Sequence, residues 1–436
     1  MIVKKSTTLL LVGTTTALAI IGAGTYGYMA INSSYEKAIT KLESIEGISV
    51  ESHQLSIGLT GSSANTVIKI LPKASGVLGE QLASGEPIIL EATHTLGYFS
   101  YPFEIKHDIH FDEHTSQLVA DNLNVEIPKG EHMPIPGQIM TRHSVSGEFD
   151  VIAMTDHINY GQLLTISPTR IYFTSNRDGS DAILKTNTDS INMSSSGNTG
   201  SKMELDGINY QWRGSLTGCK TICEGSQTIT VASFKQLDYN NAINLLASNV
   251  GLSSSTYIQD EKYHFTFNGI AKELENNVIQ WKDVGLTTSV NDVKTSAIDE
   301  FSDELKVVMQ SNTPNFLASK NMEKMYARLL ETGLKFNIDK MVASTDNGNI
   351  ATELHVDLPE GKMPNLLLNP LGLITVIKGD LDVQIPAAEI DKVFGIGAAQ
   401  SASRTGFALL GNDGVFKTTI KISDGEANVN GRVIPL

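Results

Sequence analysis

Between Ile48 and about Phe234 the chain alternates apolar and polar residues with a period of two. Ile105, His107, Ile109 and Phe111 alternate with Lys106, Asp108, His110 and Asp112. Leu123, Val125 and Ile127 alternate with Asn124 and Glu126, and Ile208, Tyr210 and Trp212 with Asn209 and Gln211. Side chains two apart on a strand share a face, so these runs predict half-buried strands. Polar, turn-rich stretches such as Asn187 to Ser201 predict separating loops. Short connections imply antiparallel pairing, with one face on a core and one wet.

Helical spacing appears elsewhere. Tyr35, Ala38, Ile39, Leu42 and Ile45 predict a helix over Tyr35–Glu46, stopped by Gly47. Further helices are predicted over Leu237–Ser248, Ser296–Gln310 and Ser319–Thr332, the last closed by Gly333. Strands resume at Leu334–Ile338, Glu353–Leu358 and Leu381–Ile385. Pro386 ends the last of these, and AAEIDKVFG predicts a helical turn. The chain closes on KTTIKISDGEANVNGRVIPL, where Asp424-Gly425 signals a two-residue type I′ turn. That turn sets Ser423 opposite Glu426, Ile422 opposite Ala427 and Ile420 opposite Val429, so turn chemistry and apolar pairing agree. Asn430-Gly431 marks a second bend.

The amino end has neither pattern. Lys4 and Lys5 precede an uncharged run from Ser6 to Ile31. A helix of about 20 apolar residues spans a bilayer, and flanking lysines stay in the cytoplasm. The run predicts a single-pass signal anchor of the inner membrane: residues 1–5 cytoplasmic, 6–31 in the bilayer, the main body outside it. Ala17-Leu18-Ala19 fits a signal-peptidase site, but the apolar run continues to Ala30, which favours an uncleaved anchor. Ala19, Ala23 and Gly27 lie four apart and are a candidate packing face for a homo-oligomer, although small residues are common in membrane spans.

The whole predicts an α+β protein: one transmembrane helix, then a large, mainly antiparallel sheet body with several helices. The body divides on pattern into a strand-rich part, 32–234, and a mixed part, 235–436. With 33 basic and 48 acidic residues the net charge is −15, which argues against nucleic acid as a partner. Cys219 and Cys223 are the only cysteines. Outside the cytoplasm such a close pair reads most simply as a disulfide pinning a small loop. Two thiolates alone make no metal site, and redox pairs usually read CxxC.

Several segments carry a resemblance. They are YEKAITKLESIEGISVESHQLSIGLTGSSANTVI, the block LDGINYQWRGSLTG, the run LLETGLKFNIDKMVASTDNGNIATELHVDLPEG with GDLDVQIPAAEIDKVFG, and the closing ISDGEANVNGRVIPL. Together they resemble the YdgA-like family of bacterial inner-membrane-anchored envelope proteins, whose biochemical function is not established. The family's His-Gly-Pro tripeptide has Leu96-Gly97-Tyr98 as its counterpart here, so no role is carried over to it.

The sharpest candidate chemistry is KHDIHFDEHTS. His107, His110 and His114 are metal-capable, with Asp108, Asp112 and Glu113 beside them. On a strand His110, Asp112 and His114 point one way and His107 the other, so closing a site needs help from His94 or His143. No nucleophile elbow, phosphate loop or dinucleotide fingerprint is present, and no cofactor is implied. Three functions follow in order. The first is a non-catalytic envelope module that binds or scaffolds partner proteins. The second is a binder or carrier of lipid or another hydrophobic ligand, and the third a metal-dependent hydrolase. A sheet packed shut favours the scaffold; a lined apolar groove favours the carrier.

Overall fold

A computed structural model describes residues 35–36, 39–40, 42–43, 47–57, 61–71, 86–97, 103–123, 138–143, 148–155, 157–160, 164–194, 201–217, 222–238, 242–310, 327–361, 375–406, 408–423 and 425–435. The expected anchor, with Ala19, Ala23 and Gly27, lies outside them. Among the described residues no helix is long and apolar enough to cross a membrane. The protein is mainly antiparallel sheet with few helices, and every pairing between described strands is antiparallel. It divides into two compact units, residues 1–197 and 198–436. The sequence pattern put a division at 234–235, which falls inside a strand.

Unit 1 holds β1 (Ile48–Ile57), β2 (Gly61–Ile70), β3 (Ile88–Gly97), β4 (Phe103–Phe111), α1 (Glu113–Leu123), β5 (Gln138–His143), β6 (Phe149–Met154), β7 (Ile158–Tyr160), β8 (Leu164–Ile166), β9 (Thr169–Ser175) and β10 (Ala182–Ser194). It is a meander in which β1 to β6 each pair with the next, β6 pairs with β9, and β9 with β10. The β8–β9 break sits at Ser167-Pro168, where proline has no N–H to give to the ladder. Pairing resumes in the same register, with Ile166 opposite Ile191.

The period-two pattern sets what unit 1 buries. On β4, Ile105, His107, Ile109 and Phe111 are buried while Lys106 and Asp108 are exposed. The core joins Ile68, Leu90, Ala92, Ile109 and Phe111 to Leu42 of the opening helical segment. That segment is helical at each described position from Tyr35 to Glu43, as its spacing predicts. Tyr35 and Ile39 pack on Ala64, and the Tyr35 hydroxyl is 2.9 Å from Thr66 Oγ1. This stretch of sheet is packed shut.

Three expectations in and beside unit 1 change. Leu123 does not open a strand; it ends α1, and the rest of Leu123–Ile127 lies outside the described residues. Alternation stops at Phe111 because Asp112 caps a helix. Its Oδ1 accepts the Thr115 N–H at 2.8 Å, and its carbonyl accepts the Ser116 N–H at 2.8 Å. Asn187–Ser194 is not loop but the second half of β10, its polar residues alternating on a half-wet strand.

Unit 2 holds β11 (Lys202–Gly214), β12 (Gly225–Leu237), β13 (Ile243–Gln259), β14 (Lys262–Asn276), β15 (Gln280–Lys294), α2 (Thr295–Gln310), β16 (Leu334–Thr345), β17 (Gly348–Leu358), β18 (Lys378–Pro386), α3 (Ala387–Phe394), α4 (Ala398–Thr405), β19 (Leu409–Leu410), β20 (Val415–Ser423), β21 (Glu426–Val429) and β22 (Arg432–Pro435). From β11 to β18 each strand pairs with the next; β18 then pairs with β20, β20 with β21 and β21 with β22. β13, the longest at 17 residues, spans about 55 Å at ~3.3 Å per residue.

The predicted helix at Leu237–Ser248 is the β12–β13 hairpin instead. Asp238 turns the chain: its N–H donates to the Ala242 carbonyl at 2.9 Å, and its Oδ1 accepts the Ala242 N–H at 2.8 Å. The terminal hairpin has the expected register, Ser423–Glu426, Ile422–Ala427 and Ile420–Val429. One feature crosses the strands. Gly207, Asn249 and Asp283, on β11, β13 and β15, have φ of 62°, 47° and 49°. They lie at one level of the sheet, where each ladder lapses: between Asp206–Ser233 and Asn209–Thr230, between Val231–Val250 and Ser233–Ser248, and between Ala271–Val284 and Glu273–Lys282.

Candidate functional site

Registers decide which side chains of unit 2 share a face, because residues directly opposite on neighbouring strands lie on the same side. One row runs Tyr210, Ile229, Leu252, Gly269, Leu286 and Met341 across six strands. The next level on the same face runs Phe267, Thr288, Ile338, Leu354, Leu381 and Ile420. On the opposite face the corresponding row is Ser253, Asn268, Thr287 and Lys340. That polar face carries its own contacts: His264 Nδ1 to Asn291 Oδ1 at 3.1 Å, and Asn337 Nδ2 donating to Ser289 Oγ at 3.1 Å.

The apolar face is not sealed. None of Tyr210, Ile229, Leu252, Leu286 and Met341 is buried. Leu252 is 36% exposed and Phe267 37%. Large apolar side chains at this exposure, continuous across many strands, mark a binding surface more often than a finished core. Gly269 leaves room between them, since a Cβ there would meet Leu252 Cδ2 and Phe267 Cε1 at 3.5 Å.

The two ends of the face differ. Toward one end it turns polar: Glu204 lies opposite Lys235 with 3.9 Å between their charged atoms, and Glu273 lies opposite Lys282. Toward the other end Tyr263 and Val293 pair and are buried. There the Tyr263 hydroxyl donates to the Ile222 carbonyl at 3.2 Å, and the Ile258 N–H donates to Glu224 Oε1 at 2.6 Å. The segment flanking Cys223 is thereby tied to that end. Cys223 is disulfide-bonded, and Cys219 lies outside the described residues.

The histidines of KHDIHFDEHTS do not converge. His107 faces the core of unit 1, His110 lies across the strand with its Nε2 3.0 Å from Glu91 Oε2, and His114 sits on α1, hydrogen-bonded to Glu86. That hydrogen bond raises the His114 pKa. Among the described residues no group of three His, Cys, Asp or Glu could hold a metal.

His94, by contrast, lies directly opposite His107, with Nδ1 to Nδ1 at 2.6 Å. His107 Nε2 is 3.0 Å from Thr141 Oγ1, and all three residues are buried. At that separation one Nδ1 donates and the other accepts, so the pair holds at most one extra proton. Burial pushes His94 down to about 4. The other buried polar residues described in unit 1 are hydroxyls. The sequence named His94 as a candidate helper; the β3–β4 register, centred on the Tyr98–Pro102 connection, was the signal that places it.

The described residues thus form antiparallel meanders, with one face shut in unit 1 and one open apolar face in unit 2. Over residues 3–436 the chain matches the family described as a bacterial protein of unknown function, DUF945, and it belongs to that family. No curated protein and no solved structure matches it.

Proposed function

We propose that this protein, a YdgA-like member of its family, is a non-catalytic binding protein of the bacterial envelope, and that its ligand is a long-chain amphiphile such as a membrane lipid. The observation that carries this reading is the half-exposed row Tyr210, Ile229, Leu252, Leu286 and Met341. An acyl chain laid along that face would cover apolar surface that the chain's own described residues leave wet. A polar head would sit among Glu204, Lys235, Glu273 and Lys282. The run Ser6–Ile31 fits a tether that keeps this face within reach of the inner membrane, with the body periplasmic. In that compartment Cys219 and Cys223 pair with each other and hold the loop that meets Tyr263. A carrier fits the open face better than a scaffold does, because a scaffold needs no continuous wet apolar row.

Native mass spectrometry of the full chain, extracted in several detergents, tests the reading. A lipid adduct is expected in each detergent. Burying a Leu or Phe side chain is worth about 1.5–3 kcal/mol, so Leu252→Asp with Phe267→Asp should weaken retention by at least about tenfold. No adduct in any detergent, or one that the double variant retains equally, refutes the reading.

A further inference from the structure

The two most exposed large apolar side chains described lie two residues apart. Phe394 is 77% exposed and Ile396 103%, at the junction of α3 and α4. The junction is held in one shape. Gly395 has φ 99° and ψ 156°, Gly397 has φ 88° and ψ −1°, and both conformations favour glycine. The Gly395 N–H donates to the Asp391 carbonyl at 3.0 Å. Asp391 Oδ1 accepts the Ala399 N–H at 2.8 Å, so one carboxylate ties α3 to the first turn of α4, where Ala399 is buried. The hairpin's base is anchored as well: the Ala387 N–H donates to the Gly414 carbonyl at 2.9 Å, and Asn430 Nδ2 to the Gly406 carbonyl at 3.4 Å. Eight residues of helix separate each anchor from the tip, about 12 Å at ~1.5 Å per residue.

We infer that Phe394 and Ile396 form an insertion point that enters the acyl region of a lipid bilayer. A rigid tip with two bare apolar side chains is too small for a specific protein interface, which buries at least about 1,000 Å². A fluid apolar phase needs no complementary shape. The chain's net charge of −15 gives no general attraction to anionic headgroups, so the contact draws on apolar burial. Alone it would be weak. The inference rests on the tether proposed above, because a chain already held at the membrane presents the tip at high effective concentration. It does not rest on the ligand face.

The test uses the full chain reconstituted into phosphatidylcholine vesicles, with Phe394→Trp as reporter. Emission from Trp212 and Trp281 is removed by subtracting the unsubstituted protein in the same vesicles. The added emission is expected to be blue-shifted, to be lost when brominated phosphatidylcholine replaces the ordinary lipid, and to be indifferent to salt. Water-like emission unaffected by bromolipid overturns the inference while leaving the tether and the ligand face standing. Emission that shifts only with anionic lipid and reverts in salt overturns it too. Protein that fails to float with the vesicles refutes the tether, and the inference with it.

Discussion

The buried His94–His107 pair makes unit 1 sensitive to acid, and the size of the effect follows from its surroundings. His94 titrates near 4 in the folded chain because burial disfavours its charge, against 6.5 when unperturbed. The unfolded chain therefore takes up the proton first as pH falls. The stabilisation is complete above about pH 6.5, declines as pH falls toward about 4, and is then flat. Its full size is about 3 kcal/mol, and the part lost between about pH 7 and about pH 5 is about 2 kcal/mol. Both tryptophans, Trp212 and Trp281, belong to unit 2, so their fluorescence would miss this. Hydrogen exchange read on peptides from β3, β4 and β5 reports it directly. After correction for intrinsic rates, amides that exchange through opening of unit 1 should lose about 30-fold protection over that interval. His94→Gln keeps a hydrogen-bonding side chain and removes the titration, so its protection should vary much less with pH. Equal losses in the two proteins, or none in the unsubstituted one, would refute the argument.

Two further predictions concern backbone devices. Asp112→Ala removes the acceptor of the Thr115 N–H; thermal unfolding should show a loss of about 1 kcal/mol, with exchange rising first in α1. Asp260 and Glu261 form the β13–β14 turn with φ of 52° and 59°; Glu261→Gly should raise stability in denaturant by about 0.5–1 kcal/mol, since glycine adopts this conformation without Cβ strain.

Much of this fold is legible along the chain, and the exceptions share a cause. Strands that alternate cleanly, such as β4, and a hairpin whose turn names itself, Asp424-Gly425, need only local information. Leu237–Ser248 misleads because apolar residues at the end of β12 and the start of β13 imitate helical spacing. Asp112 is the reverse case: the alternation runs straight into a helix cap, and the aspartate reads as one more polar strand position. The candidate site depends on information that no single segment contains. Each strand of unit 2 reveals which of its own residues are apolar. That Tyr210, Ile229, Leu252, Leu286 and Met341 fall in one row depends on five registers at once. His94 meets His107 only once the length of the loop between their strands is known. The sequence marks Phe394 only as part of the helical turn AAEIDKVFG, and its exposure beside Ile396 depends on the surrounding fold.

The level of left-handed residues at Gly207, Asn249 and Asp283 bears on how such a sheet finds its pairing. β13 contains Ser253-Ser254-Ser255, where sliding by two residues would change few side-chain contacts. Backbone irregularities do not slide so freely. Asn249 falls level with Gly207 two strands away, and the close approach of Gly207 to Ala232, 2.8 Å to a Cβ built on the glycine, tolerates nothing larger. A strand that slipped would carry its kink out of step with its neighbours and break several ladders together. The kinks thus act as alignment marks. They discourage misfolding in strands whose side chains discriminate poorly, and they free the open face to vary in sequence without losing its order.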